Sequence, residues 1–298
     1  MLKGAFWTVR PHQWVKNVFV LAPVVFAKEI FHPSLLLRAF GAFGVFCLLA
    51  GAVYTMNDLA DVEADRQHPV KRFRPIAAGE VPLNVGRALG VVFLLLGVGG
   101  AAFGSVEFFV CAASYFALNI AYSFRLKNVP YLDVFVISLG FVLRVLAGGF
   151  GTLIDVSGYL IGCTALLALF LGFGKRRHEW AVAALGKVGG KKTRKVLELY
   201  SRHGLDVSLW FTSIATVGMY LAYTLDTVTV SFFQTQNLWW TSVFVVLGVW
   251  RFSHLVRHRP ESESPTHEML RDGPFVAVLL LWVMVVVWMV YRLEPSGT

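Results

Sequence analysis

Asn57-Asp58-Leu59-Ala60-Asp61-Val62-Glu63-Ala64-Asp65-Arg66 stands where a long apolar segment, Leu35 to Met56, runs out, and Lys71-Arg72-Phe73-Arg74-Pro75 follows it. If the apolar segment continues as a helix, Asn57, Asp61 and Asp65 lie four residues apart and drift only about 40° per step, with Asp58 inside the same arc. One helix face then carries three carboxylates and an amide. Mutual repulsion makes such a cluster costly unless a hard cation neutralises it. Mg²⁺ does this with one or two carboxylates plus the oxygens of a substrate phosphate, so the pattern asks for a phosphorylated ligand. The plainer alternative is a solvated loop whose acids balance its own Arg and Lys, but helical spacing is not the mark of scattered loop charges.

Around this motif the chain is apolar. Its 298 residues are 56% hydrophobic and 15% charged, with a mean hydropathy of +0.63, far beyond a soluble domain of that length. It reads as an all-α polytopic membrane protein, one integral-membrane domain over residues 1–298. A window of about 19 residues finds nine expected spans, near 16–34, 35–56, 87–104, 107–123, 131–151, 158–174, 206–225, 237–255 and 274–292. The first leads straight into more spans, so no cleaved leader is expected. Of the 27 lysines and arginines, all but Lys28, Arg38, Arg144 and Arg292 fall on one side of this topology. By the positive-inside rule that side is cytoplasmic, with the N-terminus in, the C-terminus out and the acidic motif facing the cytoplasm of a cell (inner) membrane protein. The net charge of +9 is what such loops produce and draws them to anionic lipid. Without aromatic-basic interleaving or zinc spacing, it does not argue for nucleic acid. Cys47, Cys111 and Cys163 sit in three separate apolar spans and read as small core residues.

Two cytoplasmic loops are long enough to build a site, about 57–86 and about 175–205, the latter opening with Lys175-Arg176-Arg177-His178-Glu179. Lys191 to Arg202, in the stretch 187–205, either cover the site or lie on the membrane surface. His178 and His203 read as surface residues. Loop 251–273, with Pro260-Glu261-Ser262-Glu263-Ser264-Pro265, reads as a polar connection, although Arg251 at a span end could reach inward. Tyr122 and Lys127 pair a phenol donor with a cation if the chain bends between them, as Asn128 and Pro130 allow; they are otherwise interfacial anchors. Asp133 and Arg144 lie inside one apolar segment, where an ionised side chain costs about 2.5–3.5 kcal/mol. Eleven residues apart, they share a face but stand about 16 Å apart along the axis, so each needs its own partner. Asp133 is near enough to the edge to join the site; Arg144 either faces it or locks spans together. Lys175, Arg176 and Arg177, and likewise Arg10, Gln13 and Lys16, read either as topology anchors or as anion ligands. Acids able to hold Mg²⁺ and three cation groups at one membrane face are the usual design for diphosphate chemistry.

With these residues in hand, the chain resembles the UbiA superfamily of intramembrane prenyltransferases along nearly its whole length, through the spans and the Asn-Asp-x-x-Asp-x-x-x-Asp motif at Asn57, Asp58, Asp61 and Asp65. The resemblance implies nine helices around a central cavity open to the cytoplasm. Most members carry a second Asp-rich motif after the sixth helix; here that place reads Gly174-Lys175-Arg176-Arg177-His178-Glu179. Arg10 to Asn17, Lys71 to Gly79, Tyr122 to Pro130 and Phe173 to Arg177 resemble a narrower group, the polyprenyl-phosphate (decaprenyl-phosphate) phosphoribosyltransferases, which in mycobacteria feed cell-wall arabinan synthesis. That resemblance implies Mg-dependent transfer from phosphoribosyl pyrophosphate to a polyprenyl phosphate, with release of pyrophosphate and inversion at the anomeric carbon. Asn57, Asp58, Asp61 and Asp65 would hold Mg²⁺, the three aspartates acting in catalysis. Lys16, Lys71, Arg72, Arg74, Tyr122, Lys127, Lys175 and Arg176 would bind substrate phosphates. A homo-oligomer, a trimer, is a further implication. Two rivals are an aromatic polyprenyltransferase using a prenyl diphosphate, which should show carboxylates after the sixth helix where only Glu179 stands, and a non-enzymatic transporter or lipid-binding protein, which would place its charges nearer the bilayer midplane.

Overall fold

The computed structural model describes residues 1–184, 195–258, 268–269 and 271–291. Lys187, Lys191, Lys192, Arg194, Arg259, the Pro260 to Pro265 run and Arg292 lie outside them. Among the described residues every regular element is helical. Seven helices among the described residues are long and apolar enough to cross a membrane. The chain is a multi-pass membrane protein, and its contacts divide it into two compact units, Met1–Val156 and Ser157–Thr298.

The first unit holds α1 (Leu2–Thr8), α2 (Ala22–Phe26), α3 (Pro33–Ala60), α4 (Val62–Arg66), α5 (Leu83–Ala102), α6 (Val106–Phe124) and α7 (Leu132–Thr152). At 28 residues α3 is about 42 Å long against a hydrocarbon layer of about 30 Å, so an end of it must stand clear of lipid. Its apolar face packs at helical spacing: Ala42, Val45, Phe46 and Leu49 meet Phe108, Cys111, Ala112 and Tyr115 of α6 in one core.

The expected first span, 16–34, is not one helix. Residues Pro11–Leu21 form a 3₁₀ segment, the short α2 follows, and Lys28 turns the chain at φ +61°. Pro23 explains the break, since inside a continuous helix it would remove a hydrogen bond and clash with the preceding turn. A 3₁₀ run of 11 residues is unusually long, and its period of three stacks Asn17 and Val20 in a single buried row. This row lies so close to α7 that a Cβ added to Gly148 would meet the Val20 carbonyl oxygen at 2.0 Å.

The second unit comprises α8 (Gly158–Ala184), α9 (Arg202–Leu225), α10 (Thr227–Phe233), α11 (Ser242–His258) and α12 (Gly273–Val290). Its core joins Phe170 of α8, Leu209 of α9 and Phe252 and Val256 of α11. The expected span 237–255 is a 3₁₀ turn, Leu238–Thr241, leading into the 17 residues of α11. The sixth span does not end at 174 in a loop. Instead α8 runs on through Lys175 to Ala184, because Lys175 to Ala184 contains no glycine or proline to stop it and Arg176 pairs with Glu179 one turn on. His178, expected at the surface, is 1% exposed on this extension; His203 is exposed.

Gly148→Ala should lower the melting temperature of the purified protein markedly, because backbone, not a flexible side chain, must move to admit the methyl group. A cost of at least about 1–3 kcal/mol is expected. Thermal unfolding in detergent checks this, with Gly41→Ala, which meets open space, as the tolerated control.

Candidate active site

The acidic motif keeps its helical register across a small break. α3 ends at Ala60 and α4 restarts at Val62, yet the Asp61 amide still donates to the Asn57 carbonyl at 3.0 Å and the Asp65 amide to the Asp61 carbonyl at 2.8 Å. Asp58 and Asp65 therefore turn to the same side, and both are 2% exposed.

Their partners come from two directions. Arg74 Nη1 lies 3.1 Å from Asp58 Oδ1 and 2.5 Å from Asp65 Oδ2, bridging the two carboxylates with one nitrogen. Lys71 Nζ adds a looser contact of 3.7 Å to Asp65 Oδ1. Arg10 Nη2 makes a short ion pair with Asp58 Oδ1, and its guanidinium lies over the Tyr54 ring at 5.0 Å. Asn57 and Asp61 are half-buried beside this cluster and make no side-chain bond to it. Arg72 is exposed, its guanidinium resting 4.8 Å from the centre of the Phe73 ring.

Local structure explains how the basic loop reaches the acids. His68 Nδ1 accepts from the amides of Val70 and Lys71, closing the turn after α4. The Ala78 amide donates to the Arg74 carbonyl and the Val81 amide to that of Pro75. Ile76 and Val81 anchor the loop by burial, and Gly79 supplies a φ of +80° that a residue with a Cβ adopts poorly. Arg10 itself has φ +53°, a strained left-handed conformation for arginine, held by its ion pair and by the Gln13 amide, which donates to the Arg10 carbonyl. The basic surroundings register on His12, whose pKa is pushed below the usual histidine value by partial desolvation and then by Arg10 and Lys16.

The remaining expected ligands are placed as follows. Lys16 is exposed on the 3₁₀ segment. Tyr122 and Lys127 lie either side of the bend between α6 and a 3₁₀ turn, Leu126–Asn128, with no hydrogen bond between them. Asp133 is fully buried at the start of α7. In the second unit Lys175 is half-buried, while Arg176 and Arg177 are buried on α8 and matched by acids: Arg176 with Glu179, and Arg177 with Asp206 at 2.7 Å. Arg251 turns to Asp272 in a two-bond pair at 2.9 and 2.8 Å. Arg10 is the member of this cluster that reading the sequence undervalued, because its partner is 48 residues away.

Two buried carboxylates around one cationic nitrogen offer hard oxygen ligands. Among the described residues no three or more His, Cys, Asp or Glu side chains gather into a metal cage. Such a pair fits a cation that takes its other ligands from substrate and water, which is the habit of Mg²⁺, and does not fit a closed structural zinc site.

Residues 17–270 match the UbiA prenyltransferase family. The chain belongs to that family. The decaprenyl-phosphate phosphoribosyltransferase of Corynebacterium glutamicum is 35% identical over 295 residues, covering 97% of this chain and 87% of that protein. The enzyme of the same name from Mycobacterium tuberculosis is 33% identical over 292 residues, 96% of this chain and 94% of its own length. A UbiA homolog from Archaeoglobus fulgidus, solved with GPP and Mg²⁺, has the same fold, with a TM-score of 0.65 at 20% identity over 97% of each chain.

Arg74→Gln should destabilise the UbiA-family site by leaving two buried carboxylates facing each other, and the loss should shrink when Asp65→Asn is present. A double-mutant cycle on thermal stability should return a coupling of roughly 1–3 kcal/mol between the two positions, where additivity would mean that the bridge is not an energetic contact.

Proposed function

We propose that the protein transfers the 5-phosphoribosyl group of phosphoribosyl pyrophosphate to a polyprenyl phosphate of the decaprenyl type and releases pyrophosphate. The observation that carries this reading is the 33–36% identity, mostly along nearly the whole chain, to enzymes named decaprenyl-phosphate phosphoribosyltransferase. The side chains support it chemically. A lipid phosphate is already an anion at neutral pH, so the attacking oxygen needs no strong general base. What must be stabilised is charge on the departing pyrophosphate.

Asp58 and Asp65, with Asp61 and Asn57 from the same motif, are proposed to hold Mg²⁺, which when bound would neutralise charge on the pyrophosphate. Lys71 and Arg74 stand beside the two acids and are proposed to take the ribose 5-phosphate or the pyrophosphate, with Arg72, Lys16, Tyr122 and Lys127 as further phosphate ligands. Lys175 and Arg176, on α8, are likewise proposed as phosphate ligands. Their position on α8 is where a prenyl-diphosphate transferase would carry a second acidic motif, and the one acid there, Glu179, is engaged by Arg176. In-line attack gives inversion, from an α donor to a β product. The basic loops set the proposed orientation in a cell membrane, N-terminus and site toward the cytoplasm, with the whole of 1–298 acting as one UbiA-type domain and a trimer as the proposed assembly.

The test is pyrophosphate release by purified protein in detergent with phosphoribosyl pyrophosphate, Mg²⁺ and a polyprenyl phosphate. Release should require the lipid phosphate and fall by about 100-fold or more in Asp65→Asn and in Lys175→Ala. Turnover of a prenyl diphosphate with an aromatic acid instead would overturn the assignment.

A further inference from the structure

Among the described residues, Arg144 stands apart from the other buried arginines, Arg176 and Arg177. It is 7% exposed and lies within α7, whose apolar window has a mean hydropathy of 2.0. Nε donates to Asn17 Oδ1, Nη1 to the Gly140 carbonyl and Nη2 to the Tyr115 hydroxyl, each at 2.8 Å. The rings of Tyr115 and Phe141 lie 4.7 and 5.1 Å from the guanidinium carbon. All of these partners are neutral. Arg176 and Arg177 each meet a carboxylate, whereas among the described residues none pairs with Arg144. A guanidinium has five N–H donors, so three bonds leave one N–H on each terminal nitrogen. The neutral ring thus fixes the fork in space without cancelling its charge.

This cation is linked to the acidic site. Asn17, which accepts from Arg144, belongs to the 3₁₀ segment that begins beside Arg10, and Arg10 pairs with Asp58 and lies over the Tyr54 ring. One short segment thus joins Arg144 to the acids. A buried charge with no counter-ion is costly and is retained where a ligand supplies the counter-charge. Two N–H groups of one planar fork suit a phosphate oxygen pair.

We propose that Arg144 is a phosphate-binding residue of the first unit and that the phosphate monoester it receives is that of the lipid acceptor, whose tail alone is at home at that depth. The identity of this ligand rests on the phosphoribosyl-transfer reading; the phosphate site does not.

Ligand-induced thermal shifts on the full chain in detergent separate the possibilities, with farnesyl phosphate, farnesol and ribose 5-phosphate as probes. Wild type should be stabilised more by farnesyl phosphate than by farnesol. Arg144→Gln should weaken the apparent affinity for farnesyl phosphate by roughly 10–100-fold and leave farnesol and ribose 5-phosphate unchanged. Arg144→Lys, which keeps the charge and loses the fork, should fold and show an intermediate loss; it decides the matter if the glutamine variant does not fold. Unchanged farnesyl phosphate binding in either folded variant would overturn the proposal and leave Arg144 a clamp between helices. Loss of the ribose 5-phosphate shift alone would overturn the lipid assignment. A wild type that binds farnesyl phosphate through Arg144 yet releases no pyrophosphate would overturn the transfer reading and leave the phosphate site standing.

Discussion

Asp58 and Asp65 are two buried carboxylates turned to the same side at the end of an apolar helix, and burying two such acids together is costly without cations beside them. Arg74 bridges them, and Lys71 of the same loop and Arg10 from far upstream complete the neutralisation. The requirement to balance that charge is what draws the 71–81 loop over the motif and pins the start of the 3₁₀ segment against α3. The left-handed backbone of Arg10 is the local strain accepted in return. The burial of Ile76 and Val81 in the loop and of Val20 in the 3₁₀ segment holds the same placement from the apolar side.

Charge is handled differently elsewhere. On α8 and α9 the cations are matched by carboxylates at short range, Arg176 by Glu179 and Arg177 by Asp206, which stabilises a long helix carried past the apolar layer. The Arg251 and Asp272 pair joins α11 to the first turn of α12, where Asp272 also accepts from the Phe275 amide as a cap. These are closed pairs. Around Asp58 and Asp65 the cations are partly exposed and shared, a looser arrangement than the closed pairs. Arg144 is a third case, a fixed cation among neutral partners.

Much of this was legible in the linear chain. Apolar runs marked the long helices, and four-residue spacing put Asn57, Asp61 and Asp65 in helical register, which the amide bonds across the Asp61 break preserve. Other features were not. Hydropathy reads 16–34 as a span because its residues are apolar, but it does not register that Pro23 forbids a continuous helix or that a 3₁₀ period buries Asn17. Basic residues at 175–177 look like a membrane-edge loop to any charge count, whereas the extended helix buries Arg176, Arg177 and His178.

The sequence by itself determined that this chain is an all-helical membrane protein with an acidic helix end and basic segments beside it, because hydropathy and helical periodicity are local properties that a run of residues carries with it. Only the tertiary structure decided that Arg10 meets Asp58 across 48 residues, that Arg74 bridges two acids, and that Arg144 reaches Asn17 and Tyr115 but no carboxylate among the described residues. Such pairings depend on which helix faces which, and that is settled by packing and by the cost of leaving a buried charge alone, neither of which is written in any single stretch of sequence.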